Sequence, residues 1–340
     1  MKVFYSEVHR RHEPPFEVFD GGLRTPYMEN IDRMDRILHA LGQTEWADIS
    51  EPEDFGLDPI YAVHDKEYID FLASCWTEWL DTNAKDKSTL LPATFALRRH
   101  PQKPTSLLGR AGYYMMDLSA CIVEGTYQAA LASANCALSA AEWIAGGELV
   151  AFALCRPPGH HAGKDYAGGY CFINNAAVAA NRLTTKGRVA LLDIDYHCGN
   201  GTQDIFYKRD DVLTISIHAD PEFEYPHYWG YANEAGSGRG FGYHKNFPLE
   251  KGTDDARYLS ALEEALSIIR TNGVQYLVVS VGMDIYADDP LGTIKVTTDG
   301  IAEIGKQIAS LGLPTVIVME GGYANEVLGK NMVAFLENWT

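Results

Sequence analysis

The stretch LLDIDYHCGNG, Leu191 to Gly201, decides how this chain is read. The apolar run RVALL leads into it, and a Gly-rich turn leaves it for a short helical segment. Residues two apart on a strand point the same way. Asp193, Asp195 and His197 are therefore expected to project together from the strand's C-terminal end, where open α/β sheets place their ligands. Two carboxylates and an imidazole converging there repel and stay badly solvated unless a cation or hydrogen bonds compensate them. A metal site is the simplest account; a helix-capping aspartate beside a quietly packed histidine is the plain alternative.

Length and composition bound the rest. The 340 residues suit one large α/β domain or two ordinary ones, and 46% hydrophobic content is ample for a buried core. Lysine and arginine total 28 against 46 aspartates and glutamates, a formal charge of −18. That balance argues against nucleic acid or an anionic membrane as partner and favours small cations. No apolar stretch approaches the roughly 18 residues of a membrane span, and the N-terminal MKVFYSEVH does not spell a signal peptide, so a cytoplasmic protein is expected. The six cysteines, Cys75, Cys121, Cys136, Cys155, Cys171 and Cys198, form no CxxC and read as reduced core thiols. Only Cys198 falls within the candidate site.

Along the chain, KVFYS reads as a strand, followed by a polar loop from Glu7 to about Asn30 whose carboxylates Glu7, Glu13, Glu17 and Asp20 are expected to be solvated. Apolar residues at helical spacing predict helices over NIDRMDRILHALG and from His64 to Leu80. The pattern breaks from Asp81 to Ser106, a proline-containing stretch of the length that usually makes a lid, an interface or a linker. Beyond it, helices near Tyr127–Ile144, Ala176–Thr184, Asp254–Arg270, Thr298–Ser310 and Asn325–Leu336 alternate with the apolar runs LVAFALC, DVLTISI, QYLVVSV and PTVIVM. Such alternation predicts a parallel sheet with helices on both faces.

Chemistry collects where those runs end. LVAFALC is followed by RPPGHHAGKDYAGGYCFINN with tandem His160 and His161, QYLVVSV by GMDIYADDP with Asp284, and PTVIVM by EGGY with Tyr323. Tandem histidines arise by chance and GGY is often only a tight turn. Their joint delivery to one sheet edge is harder to dismiss.

In this order, RPPGHHA, GGYCFINNAAVAA, LLDIDYHCGNGTQDIF, GMD with its DDP, and EGGY resemble the zinc-dependent deacetylases of the arginase and histone deacetylase superfamily. Within it the chain looks similar to bacterial acetylpolyamine amidohydrolases, through the aromatic spacing of FEYPHYWGYA and the insertion before Gly112. The resemblance implies a single α/β domain over 1–340, with a parallel sheet of about eight strands between helices. It implies Asp195, His197 and Asp284 as zinc ligands, three protein groups that leave an open position as catalytic zinc requires. It makes His161 the general base and later acid, with His160 assisting electrostatically. Asp193 and Asn200 would orient His160 and His161 respectively, and Tyr323 would hydrogen-bond the reacting carbonyl. Tyr170, preceded by Gly169, and Tyr225 would grip a slender chain at exposed loop positions and offer a distal ammonium their ring faces. Potassium sites are implied at Asp193, Asp195, His197, Ser216 and Ile217, and at Phe206, Arg209, Val212 and Tyr243.

Two departures stand out. Cys198 follows His197 where the family commonly has a second histidine. A carboxylate expected near Leu107 and Leu108 is absent, which leaves Glu17 and Asp117 as candidates to hold a substrate ammonium. The expected activity is removal of acetyl groups from acetylated polyamines, with a protein acetyllysine deacetylase as the alternative and a homodimer joined through the 81–106 insertion. Arginase-type chemistry would need a second metal, for which DIDYHCGN lacks ligands, and a non-catalytic binder would have no use for His160, His161 and Tyr323 together.

Overall fold

The computed structural model of the chain describes residues 1–19, 22–96 and 102–340. Eight strands form one wholly parallel sheet. In chain order they are β1 (Lys2–Phe4), β4 (Asp48–Ser50), β5 (Val150–Ala153), β6 (Val189–Asp193), β7 (Val212–Ala219), β8 (His244–Leu249), β9 (Tyr276–Val281) and β10 (Thr315–Met319). Their spatial order is β4-β1-β5-β10-β9-β6-β7-β8. A separate antiparallel hairpin pairs β2 (Glu17–Phe19) with β3 (Leu23–Thr25).

The central strands are buried on both faces, which is why they read as unbroken apolar runs. Alternate residues nonetheless serve different cores. Ala151, Leu191, Val316 and Val318 face a layer formed by α5 (Thr126–Ala145) and α6 (Asn175–Leu183). Phe152, Leu192, Ile317 and Met319 face the larger core beneath α1 (Asp32–Leu41), α8 (Asp255–Thr271), α9 (Thr298–Ala309) and α10 (Asn325–Leu336). The first layer is rich in alanine, so backbones approach closely. Helix starts are fixed where side chains accept a first-turn N–H: Asn174 from Ala177, Asp254 from Arg257, and Thr297 from Gly300.

Two of the sequence expectations need amendment. The loop from Glu7 to Asn30 contains the β2–β3 hairpin, and Glu17 on it is wholly buried rather than solvated, while Asp20 lies outside the described residues. Strands β4 and β8 were not expected, since DIS is too short to show a period and HKNFPL mixes polar residues with a proline. Of the 81–106 insertion, residues 97–101 lie outside the described residues. The rest packs on its own chain: Leu90 bridges Ile122, and the Ala96 N–H reaches the Gly112 carbonyl ahead of α4's end (α4, Leu107–Tyr114). All six cysteines are buried and unpaired. No helix among the described residues is long and apolar enough to cross a membrane.

Candidate active site

The four strands whose ends carry the chemistry, β5, β10, β9 and β6, are neighbours at the centre of the sheet. Strand spacing of about 4.8 Å therefore brings loops from widely separated sequence into one cluster. The turn after β5 is pinned from two helices, Ser133 Oγ and Asn175 Nδ2 both donating to the Pro157 carbonyl. Glu320, at the end of β10, accepts the N–H groups of Gly159 and His160 at 2.6 and 3.1 Å and so fixes the height of the tandem histidines. Burial, opposed by the nearby His160 charge, raises the Glu320 carboxyl to about 7.

Strand β6 ends at Asp193, and the chain then bends, so the three side chains expected to project together divide. Asp193 Oδ2 accepts from His160 Nδ1 at 3.0 Å. Asp195 and His197 instead meet Asp284, each offering an atom within 4.8 Å of the others. His197 Nδ1 stands 3.4 Å from Asp195 Oδ1 and 3.2 Å from Asp284 Oδ2. The remaining carboxylate oxygens are held by backbone: the N–H of Gly321 on Asp195 Oδ2 at 2.8 Å and that of Tyr196 on Asp284 Oδ1 at 3.1 Å. Only glycine fits at Gly321, where a Cβ would lie 2.4 Å from Asp284 Oδ2 and 2.6 Å from Asp195 Oδ2. One nitrogen and two carboxylate oxygens, fully buried except for His197, make a donor set suited to a divalent cation. A second group, His160, Cys171 and Glu320, also lies within 4.8 Å. There, Asp193 engages the His160 Nδ1 and the backbone engages Glu320.

Charge is distributed unequally over the tandem histidines. Burial opposes protonation of His160, but Asp195 and Asp193 outweigh it and raise the ring to about 10. His161 is driven the other way, first by burial and then by the neighbouring His160 and His197, and is held neutral. Its Nδ1 donates to Asn200 Oδ1 at 2.7 Å, and the Asn200 amide in turn donates to Tyr166 at 3.2 Å. A neutral imidazole donating from Nδ1 keeps its Nε2 lone pair free. Gly169, at φ 50°, lets backbone pass that ring edge, since a Cβ would sit 3.0 Å from Nε2.

A slot of about 100 Å³ opens over these groups, lined by His161, His197, Tyr323, Tyr170, Tyr225 and Leu291 among others. Tyr225 meets the His161 ring edge-on at 4.9 Å, and Tyr170 lies 5.8 Å from Tyr323. Tyr170 is buried rather than exposed, because its hydroxyl donates to Glu17 at 2.6 Å. Burial, eased by the Tyr170 and Met28 hydrogen bonds, raises Glu17 to about 7. Asp117 accepts the N–H groups of Ser119, Ala120 and Gly169 and the Tyr225 hydroxyl, the last two at 2.7 Å. Both carboxylates expected to meet a substrate ammonium thus accept a hydroxyl from one of the slot's tyrosines. Tyr323 is set by Asp289, whose Oδ2 accepts the N–H groups of Tyr323 and Ala324 at 2.6 and 3.0 Å.

Around this cluster, Ser216 lies opposite Asp193 in the β6–β7 register, beside Ile217, and pairs with His218 at 2.7 Å. Arg209 stacks over Phe206 at 4.9 Å, ahead of Val212 at the start of β7, and the Tyr243 carbonyl accepts from Thr214. Cys198 stands outside the Asp195–His197–Asp284 group and packs against Gly230, where a Cβ would lie 3.0 Å from its Sγ. Glu320, Asp289 and Tyr166 escaped the reading of the sequence. All three lie inside quoted stretches, but Glu320 and Asp289 act on backbone N–H groups, which no residue type announces.

The histone deacetylase domain model matches residues 27–339. The chain belongs to that family. A histone deacetylase domain over this length makes it a deacetylase, a hydrolase of amide bonds. It is 45% identical to acetylpolyamine amidohydrolase 2 of Pseudomonas aeruginosa, covering 100% of this chain and 98% of that protein. It is 42% identical to the acetylpolyamine amidohydrolase of Mycoplana ramosa, with 99% of each covered. The crystal structure of acetylpolyamine aminohydrolase from Burkholderia pseudomallei superposes with a TM-score of 0.96 at 40% identity, over 100% of this chain and 98% of that one. The HDA15 HD domain matches at 0.80 and 27%, over 99% of this chain and 90% of that one. This histone deacetylase-family chain is thus similar along its full length to enzymes named for acetylpolyamines.

Proposed function

We propose that this deacetylase removes the acetyl group from acetylated polyamines, giving acetate and the free amine, with zinc held by Asp195, His197 and Asp284. The observation that carries this reading is the pairing of a buried three-residue donor set with a narrow aromatic slot, in a chain 42–45% identical to such amidohydrolases over their full length. When bound, zinc supplies Lewis acidity to the amide and lowers the pKa of water.

The chain's own residues account for the remaining chemistry. Neutral His161 accepts the proton of the attacking water at Nε2 and delivers it to the departing amine nitrogen. Asn200 keeps the other ring nitrogen protonated, so the base cannot turn its wrong face to the slot. His160, hydrogen-bonded to Asp193, gives electrostatic assistance beside the acyl group. The Tyr323 hydroxyl donates to the carbonyl oxygen as it becomes an oxyanion. Tyr170 and Tyr225 admit a slender alkyl chain and exclude water, a width that suits a linear diamine.

Acetate release from acetylputrescine, acetylspermidine and an acetyllysine peptide tests the reading, with chelator and zinc re-addition as controls. Chelator-sensitive turnover of the polyamines, abolished by His161→Ala, is expected. Turnover of the peptide alone would overturn the substrate class while leaving the mechanism standing.

A further inference from the structure

The slot is lined by aromatic and neutral groups with one exception. Glu224 is the single carboxylate among its described lining residues, and no lysine or arginine lines it. Glu224 precedes Tyr225 in the loop after β7 and is partly exposed. Its position is set from below and from its own loop: Oε2 accepts the Tyr196 hydroxyl at 2.6 Å, and Oε1 accepts the Tyr225 N–H at 3.1 Å. The Tyr196 hydroxyl is itself braced by Thr293 at 2.8 Å. Each carboxylate oxygen has two lone-pair sites, so these contacts fix the group and leave acceptor capacity toward solvent and slot. Glu17 and Asp117, by contrast, are engaged by the tyrosine walls.

We propose that Glu224 is the residue that selects a cationic substrate, accepting the distal ammonium of an acetylated linear diamine after its alkyl chain has passed along Tyr225. The inference rests on the polyamine reading and names the group that enforces it. An ammonium leaving the slot beside Tyr225 meets a negative charge already held in place, so little side-chain entropy is lost on contact. A neutral chain of the same length gains nothing there.

The test compares acetylputrescine with its neutral counterpart N-pentylacetamide. Loss of a hydrogen bond to a charged group predicts that Glu224→Gln lowers the ratio of their kcat/KM values by about 10- to 100-fold, chiefly through KM for the diamine. Glutamine retains one oxygen for the Tyr196 hydroxyl but gives up the contact from the Tyr225 N–H, so the kcat/KM of the neutral amide reports whether the Tyr225 wall has moved, and the protein is expected to keep its melting temperature. Glu222→Gln, on the same loop and exposed, is the control and should leave the ratio unchanged. An unaltered ratio in Glu224→Gln, or an equal fall in Glu222→Gln, would overturn the assignment while leaving the polyamine reading intact. Failure of the unsubstituted enzyme to release acetate from acetylputrescine would overturn both.

Discussion

His161 and Asn200 show how a single hydrogen bond assigns a role. The Nδ1 contact of 2.7 Å specifies the tautomer, and with it which nitrogen is basic. Asn200→Ala should therefore lower kcat by about 10- to 100-fold with little change in KM, since a residue that orients the base acts on the reacting group and not on binding. Equal damage to KM would mean that Asn200 only supports the loop. Tyr323→Phe should reduce kcat by about 10²–10³-fold, the usual effect of deleting an oxyanion donor. Stopped-flow substrate binding should be preserved. The tandem histidines and Tyr323 were legible in the sequence because their residue types carry chemistry in any context. What Glu17 and Asp117 engage was not legible, for the converse reason. A carboxylate's spelling does not say whether its oxygens face solvent or, as here, a tyrosine hydroxyl and backbone N–H groups.

At the scale of elements, the order of strands matters more than any one of them. Apolar runs and helical periods located β5, β6, β9, β10 and the helices between them to within a few residues, because those strands are covered on both faces. The hairpin around Glu17, β4 and β8 lack that signature: they are short, at an edge, or partly polar. The adjacency of β5, β10, β9 and β6 was likewise invisible to a local reading, since it depends on crossovers and not on composition. The turn at Gly321 illustrates the dependence of the donor set on backbone. Gly321→Ala forces a Cβ between two carboxylates, and we expect the purified variant to take up less zinc than the parent while retaining its circular dichroism spectrum; elemental analysis checks this. Full metal content in that variant would show that the turn can shift without disturbing Asp195 and Asp284.

For the molecule as a whole, buried neutral histidines set an acid limit. His64 donates from Nδ1 to the Gly163 carbonyl at 2.8 Å and accepts the Asn174 N–H on Nε2 at 2.9 Å. A second proton would destroy the latter bond, and burial lowers this ring to about 4. The folded state thus binds fewer protons than the unfolded state below pH 6.5. The stabilisation is complete above that pH and is lost as pH falls through about 4, amounting to roughly 3 kcal/mol for a fully buried ring. His218 and His244, each lowered to about 4 by burial, add to the same slope. Glu17, raised to about 7, opposes it. Comparing urea unfolding of the parent and His64→Gln at pH 7 and pH 4.5 isolates the histidine: the variant should lose less stability on acidification. An identical loss in both would remove His64 from the account. At the same scale, Phe95 within the 81–106 insertion and Leu108 just after it are exposed, and a dimer joined there should dissociate on Leu108→Glu, as followed by light scattering.

The alanine layer formed by α5 and α6 carries a lesson for anyone reading a mutational landscape of this enzyme. Ala137, Ala140, Ala176 and Ala180 are wholly buried between these helices and the sheet, and the same helices supply Ser133 and Asn175, which grip the Pro157 carbonyl. A methyl group is therefore the spacer that sets where the tandem histidines stand. In a saturation scan, enlarging any of these alanines should score as severely as altering the histidines themselves, and a map coloured by loss of activity would show a dead stripe running down one side of the sheet, far from any substrate.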